Sequence, residues 1–88
     1  MYYICVYDIA NERRLPKVLK LFRKYLNWVQ NSVFEGELTS AQYVSLLAEL
    51  NKIIKKEEDS IILYKLREEK WMTREIIGVE KNMIDNFL

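Results

Sequence analysis

Asp8 closes an N-terminal run, Tyr-Tyr-Ile-Cys-Val-Tyr, in which every side chain is apolar or aromatic. A carboxylate at the end of such a strand is partly desolvated and needs a donor, a cation or a turn to satisfy it. Two chemistries meet that need. Asp8 can accept the backbone N–H groups of residues 10 and 11 in a turn, or it can ligate a hard cation such as Mg²⁺. One carboxylate is a sparse ligand set, and a two-fold axis beside Asp8 would supply a second copy. The chain contains no histidine. That removes the usual general base, the usual zinc ligand and any Ser–His or Cys–His nucleophile pair. It also carries no Gly-rich phosphate loop and no zinc-type cysteine spacing. Hydrolytic chemistry would therefore rest on carboxylates, a hard metal with an activated water, or tyrosines. Tyr7, beside Asp8, is the tyrosine expected to share a catalytic role with it.

A second chemical pattern is cationic. Residues 12–26 hold six basic side chains and one acid, Glu12, although the whole chain has a net charge of only +1. At about 100° per residue, Arg13, Lys17, Lys20 and Lys24 fall in one narrow helical stripe opposite Phe22. Such a stripe can neutralise phosphates without reading sequence, or it can be an ordinary solvated face. Arg13, Arg14, Lys17, Lys20 and Lys24 are the candidate nucleic-acid contacts. Tyr3, Tyr7, Phe34 and Tyr64 could stack bases from strands, as in sheet-type RNA binders. The basic-glycine-aromatic signature of that class is missing, so these rings read more readily as core or interface.

The elements that must position these groups follow from periodicity. Residues 2–8 read as a buried strand. Asn11 caps the turn after it, and Pro16 marks the start of a helix. Leu15, Val18, Leu19, Phe22, Tyr25 and Leu26 form its apolar face, ending near Asn27. Residues 28–38 are extended and must reverse near Gln30 to Ser32, yet contain no good two-residue hairpin signal. Thr39 or Ser40 caps a second helix through Ile54. Lys55 to Asp59 form a charged loop, Ser60 to Leu66 a strand, Arg67 to Met72 a charged connection, and Glu75 to Val79 a last strand. This order predicts an α+β domain of ferredoxin-like type, with two helices on one face of an antiparallel sheet. Residues 1–79 make the domain. Residues 80–88 are a tail whose Met83, Ile84, Phe87 and Leu88 are exposed unless they dock, most naturally on a partner subunit.

Size bounds the rest. With 88 residues, half of them apolar, the chain suits one domain that buries only about 60–65% of its unfolded surface. Dimerisation is one way to enlarge so small a core. Cys5 is the only cysteine, so no internal disulfide can form, and a lone thiol in an apolar run fits a reducing cytoplasm. The N-terminus lacks the features of a signal peptide, and the apolar runs are too short to cross a bilayer. A soluble, cytoplasmic protein without membrane contact is expected.

Several segments together carry a resemblance. Tyr7-Asp8-Ile9 closes the first strand. Arg14-x-x-Lys17-Val18 opens the first helix, and Tyr25-Leu26 lie near its end. Val29-Gln30-x-Ser32-Val33-Phe34-Glu35-Gly36 is followed by Leu38-Thr39. Asp59-Ser60 precede a strand ending Tyr64-x-Leu66, and Ile77-Gly78 stand in the expected last strand. From Met1 to about Val79 the chain resembles the small CRISPR-associated protein that partners the spacer integrase, the Cas-two family. Trp28 stands where members of that family often carry a basic residue. The resemblance implies two strands within 28–38 and a homodimer whose sheets face each other, with C-terminal segments crossing to the partner. It also implies an Asp8 that faces its two-fold mate and shares Mg²⁺ with it. Members are described as metal-dependent nucleases on RNA or double-stranded DNA, and as the central bridge between integrase dimers. The implied function is a CRISPR spacer-acquisition endonuclease acting as a homodimer with the integrase. The alternatives are a non-catalytic architectural dimer that holds duplex DNA, and a toxin-like ribonuclease of the same fold.

Overall fold

The β-branched and aromatic run at the N-terminus forms β1 (Tyr2–Asp8), and the Pro16 signal opens α1 (Leu15–Tyr25). The extended segment divides into β2 (Asn27–Gln30) and β3 (Val33–Glu37), followed by α2 (Ser40–Ile53) and β4 (Ser60–Leu66). A single 3₁₀ turn, Glu69–Trp71, comes after β4. These elements belong to a computed structural model that describes residues 1–82; the apolar tail residues Met83, Ile84, Phe87 and Leu88 lie outside the described residues. The sheet order is β2-β3-β1-β4 with every neighbouring pair antiparallel. That is the ferredoxin-like arrangement, α+β with both helices on one face.

Local chemistry explains the element ends. Thr39 caps α2 through a reciprocal box: its hydroxyl accepts from Gln42 N–H, and the Gln42 side chain accepts from Thr39 N–H. The Asn11 side chain accepts from Arg13 N–H at 2.7 Å and its carbonyl accepts from Arg14 and Leu15, which sets the turn into α1. The β2–β3 reversal has no glycine. Asn31 takes the left-handed conformation (φ 43°), which asparagine tolerates better than most residues, and the register slips between Trp28 and Gln30. Gly36, opposite Tyr3 in the sheet, passes close to the end of α1, where a Cβ would sit 3.2 Å from a Leu26 methyl.

One expected element does not form. Residues 75–79 pair with none of the four strands. Strand propensity is realised only where a neighbour supplies backbone partners. Gly78 (φ 98°) turns the segment, and Ile77 is 90% exposed.

The core lies between sheet and helices. Tyr3, Cys5 and Tyr7 of β1 and Phe34 of β3 pack against Val18, Leu21, Phe22 and Leu26 of the α1 region and Leu46 and Leu50 of α2. Phe22, Phe34 and Tyr7 form a tilted aromatic trio with centroids 5.4 to 6.0 Å apart, and Tyr3 stacks on Tyr43 of α2 at 4.7 Å. Each fully buried ring of this kind contributes roughly 1.5–3 kcal/mol through burial alone. Cys5 is wholly buried among them, and burial pushes its thiol up to about 12.

The two loops at one end of the sheet are tied by Asp59. Its carboxylate accepts from Ala10 N–H (2.9 Å), Lys55 N–H (2.8 Å) and both Nε and Nη2 of Arg14 (2.9 and 3.1 Å). These donors, the Arg14 guanidinium foremost, hold Asp59 well below the usual carboxylate range. Because the folded value is depressed, the stabilisation is present in full above the unfolded value, about pH 4, and is lost as pH falls from there through the folded value. Asp59→Asn is therefore expected to lower Tm at neutral pH by roughly 5–10 °C. The gap from the wild type should narrow as thermal melts are repeated below about pH 4; a constant gap across that range would assign the loss to shape and not to charge.

Candidate functional site

Strand alternation sorts β1 into two sets. Tyr3, Cys5 and Tyr7 point to the helices, and Tyr2, Ile4, Val6 and Asp8 to the opposite face. Ile4 pairs with Glu35 and Tyr64, and Val6 with Val33 and Ile62. The face away from the helices is thus an apolar surface on which Ile62 is 46% and Tyr64 56% exposed. Asp8, opposite Ser60, is exposed at one end of that surface.

Among the described residues Asp8 accepts no hydrogen bond and forms no ion pair. Of the two turn donors expected for it, Ala10 N–H goes to Asp59 instead. The Asp59 carboxylate thus holds one of the two donors that the turn role would need. Tyr7 lies on the other face of the sheet. Its ring is core, its hydroxyl is 3.4 Å from the Asn31 carbonyl, and burial raises its pKa. The fold does not bring Tyr7 and Asp8 to one site.

No cluster of three or more Asp, Glu or Cys side chains suited to one metal ion occurs among the described residues. A single exposed carboxylate fits a hard cation that keeps most of its waters, as Mg²⁺ does, and two such carboxylates fit it better. Asp8 is the one acid in β1.

The five basic candidates separate. Arg14 is half-buried and spent on Asp59, with Glu58 3.1 Å from its Nη2, so it is a loop tie and not a free phosphate contact. Arg13 is exposed in the turn before α1, and Lys17 and Lys20 are exposed on the helix. Lys24 sits 3.2 Å from Glu49 of α2. Lys17, Lys20 and Lys24 line a shallow groove of about 340 Å³ between the helices, with Leu21, Glu49 and Ile53. Tyr3, Tyr7 and Phe34 are core rings, and only Tyr64 of the four strand aromatics is exposed.

One polar cluster was not anticipated from the sequence. Glu35 lies on the face away from the helices and is buried there, accepting hydrogen bonds from the Tyr2 hydroxyl and from Arg74. Burial first, and the neighbouring carboxylate second, hold the Tyr2 hydroxyl above its ordinary range. The signal was legible in principle: Glu35, like Asp8, is an acid in an apolar strand and needs donors. Arg74 is distant in sequence and could not be matched to it. The pair anchors residues 74–82 over β2 and β3, and together they line a groove of about 570 Å³ that includes Trp28, Ile76 and Ile77. Asn82 Nδ2 closes its far end on the Trp28 carbonyl at 2.6 Å. Glu35→Gln keeps the shape and the Tyr2 acceptor but removes the charge that holds Arg74. A half-exposed ion pair is worth up to about 1 kcal/mol, so chymotryptic cleavage after Trp71 is expected to quicken by about fivefold. An unchanged rate would mean that the ion pair does not hold the segment down.

Comparison with known proteins adds an independent finding. The family model described as CRISPR associated protein Cas2 matches residues 1–74. A CRISPR-associated endoribonuclease Cas2 from Dictyoglomus turgidum is 51% identical over 88 residues, covering all of both chains. One of the same name from Pyrococcus furiosus is 49% identical over the same full span. Among solved structures, a crystal structure of Cas2 superposes with a TM-score of 0.82 at 42% identity, covering 92% of this chain and 90% of that one. Streptococcus pyogenes Cas2, crystallised at pH 6.5, gives 0.77 at 36% identity, covering 89% and 100%.

Proposed function

Because the chain belongs to the CRISPR associated protein Cas2 family, we propose that it is a Mg²⁺-dependent endonuclease of CRISPR spacer acquisition. It works as a homodimer on RNA or double-stranded DNA, with the integrase as its protein partner. The observation that carries this reading is the state of Asp8: exposed, without a donor, and on the same face as an uncovered apolar surface. Two copies joined through that face would bury Ile62 and Tyr64 and bring two Asp8 carboxylates toward one axis. The endoribonuclease name shared by the relatives favours RNA as the substrate.

The chain's own groups would divide the work. Asp8 from each copy would hold the cation, and two unneutralised carboxylates facing each other would favour binding it. When bound, Mg²⁺ supplies the positive charge that polarises a phosphate and acidifies a water, the role a histidine base plays elsewhere. Lys17, Lys20 and Arg13 would track the phosphate backbone without reading sequence. Tyr7 would act through packing, since its hydroxyl faces away from Asp8.

Sedimentation at micromolar concentration is expected to return twice the 10.7 kDa chain mass. Asp8→Asn should reduce cleavage of RNA or duplex DNA by at least about 10²-fold, the scale of losing a transition-state electrostatic partner, and EDTA should do the same to the wild type. Both treatments should leave the dimer intact, and Tyr7→Phe should cleave normally. Full activity in Asp8→Asn would overturn the catalytic assignment. If duplex binding survived with no metal-dependent cleavage by the wild type, the architectural dimer would be the better reading.

A further inference from the structure

The groove between α1 and α2 holds one acid among its three lysines. Glu49 uses both carboxylate oxygens on α1: Oε1 accepts from Lys24 Nζ at 3.2 Å, and Oε2 accepts from the Tyr25 hydroxyl at 2.6 Å. Lys24 also lies 5.3 Å from the centre of the Tyr25 ring. An exposed lysine–glutamate pair alone is weak, and a polyanion would readily break it. Here the carboxylate has a second anchor, because Tyr25 is a partly buried ring packed against the core. The same two donors keep Glu49 ionised, holding it below the usual carboxylate range. A fixed negative charge in this groove cancels one of the three positive charges and repels an incoming phosphate.

We infer that Glu49 is an electrostatic brake on the basic stripe, withholding Lys24 from phosphate so that the stripe offers nucleic acid Arg13, Lys17 and Lys20 alone. The inference rests on the nucleic-acid reading above and deepens it. The tyrosine tether makes this more than a chance surface pair, because it fixes the carboxylate beside Lys24 whatever conformation that lysine adopts. The stripe read from spacing therefore counts one lysine too many. The expected consequence is moderate, readily reversible binding, set by an acid on the neighbouring helix.

The test is the salt dependence of duplex DNA binding, read by fluorescence anisotropy across a range of KCl. Each phosphate contact adds about 0.9 to the log–log slope. Glu49→Gln keeps an acceptor for Tyr25 and should steepen the slope by about 0.9. Tyr25→Phe, which removes only the tether, should steepen it by a smaller amount and serves if Glu49→Gln loses its helical circular dichroism. Lys24→Gln alone should leave the slope unchanged, and combined with Glu49→Gln it should restore the wild-type value. A flatter slope in Lys24→Gln alone, or no change in either Glu49→Gln or Tyr25→Phe, overturns the brake. The pair Lys17→Gln/Lys20→Gln separates this failure from failure of the wider reading. If that pair flattens the slope by about 1.8 while Glu49→Gln does nothing, the stripe binds phosphate and the brake is wrong. If none of the variants changes the slope, the stripe is a solvated face and both fall.

Discussion

The fold depends on one buried carboxylate more than on any other polar group. Asp59 accepts four hydrogen bonds from three residues, and these residues belong to the β1–α1 turn, the start of α1 and the α2–β4 loop. A buried acid with so complete a set of donors stays charged and fixes its surroundings, whereas one left short of donors would take up a proton or open the loop. The tie sets where α1 begins relative to the sheet, and therefore where its lysines emerge. It also uses the backbone donor that Asp8 would otherwise have claimed. Two acids at neighbouring strand ends thus have opposite fates: one is saturated and structural, the other exposed and without a partner.

The sheet separates these roles by parity. On β1 the odd residues make the core and the even residues make the face away from the helices, so a one-residue register slip would exchange the two sets. The pairing of β1 with both β3 and β4 over most of its length guards against that slip. Glu35 of β3 is a buried charge on that same face, and the Tyr2 hydroxyl and Arg74 compensate for its burial. No helix among the described residues is long and apolar enough to cross a membrane.

Much of this architecture was legible from local signals. The helix starts at Pro16 and Thr39, and the strand at Ser60–Leu66, followed from caps and periodicity because those depend on residues within a turn or two. Asp8 and the lysine stripe were also legible, since each is a matter of type and spacing along one element. What the sequence did not show shares a cause, which is dependence on a distant partner. Residues 75–79 carry strand-forming side chains, but an extended segment becomes a strand only when an edge receives it. Arg14 and Lys24 were both read as phosphate contacts, and the acids that pair with them, Asp59 and Glu49, lie 45 and 25 positions away. Tyr7 was coupled to Asp8 by adjacency, and adjacency in a strand means opposite faces. Spacing measures neighbours along one element and is blind to the charges that another element brings.

The environment of Cys5 has a practical bearing on studying the protein. Its sulfur is fully enclosed and its thiol is pushed up to about 12, so at neutral pH the reactive thiolate is a vanishing fraction. The native chain is in effect thiol-free toward alkylating reagents and needs no protective mutation before labelling. A cysteine introduced at an exposed position of α2, such as Ser45, would be the sole attachment point for a fluorophore or spin label. Distances between two such labels could then report how copies of the chain are arranged, with the core left as nature packed it.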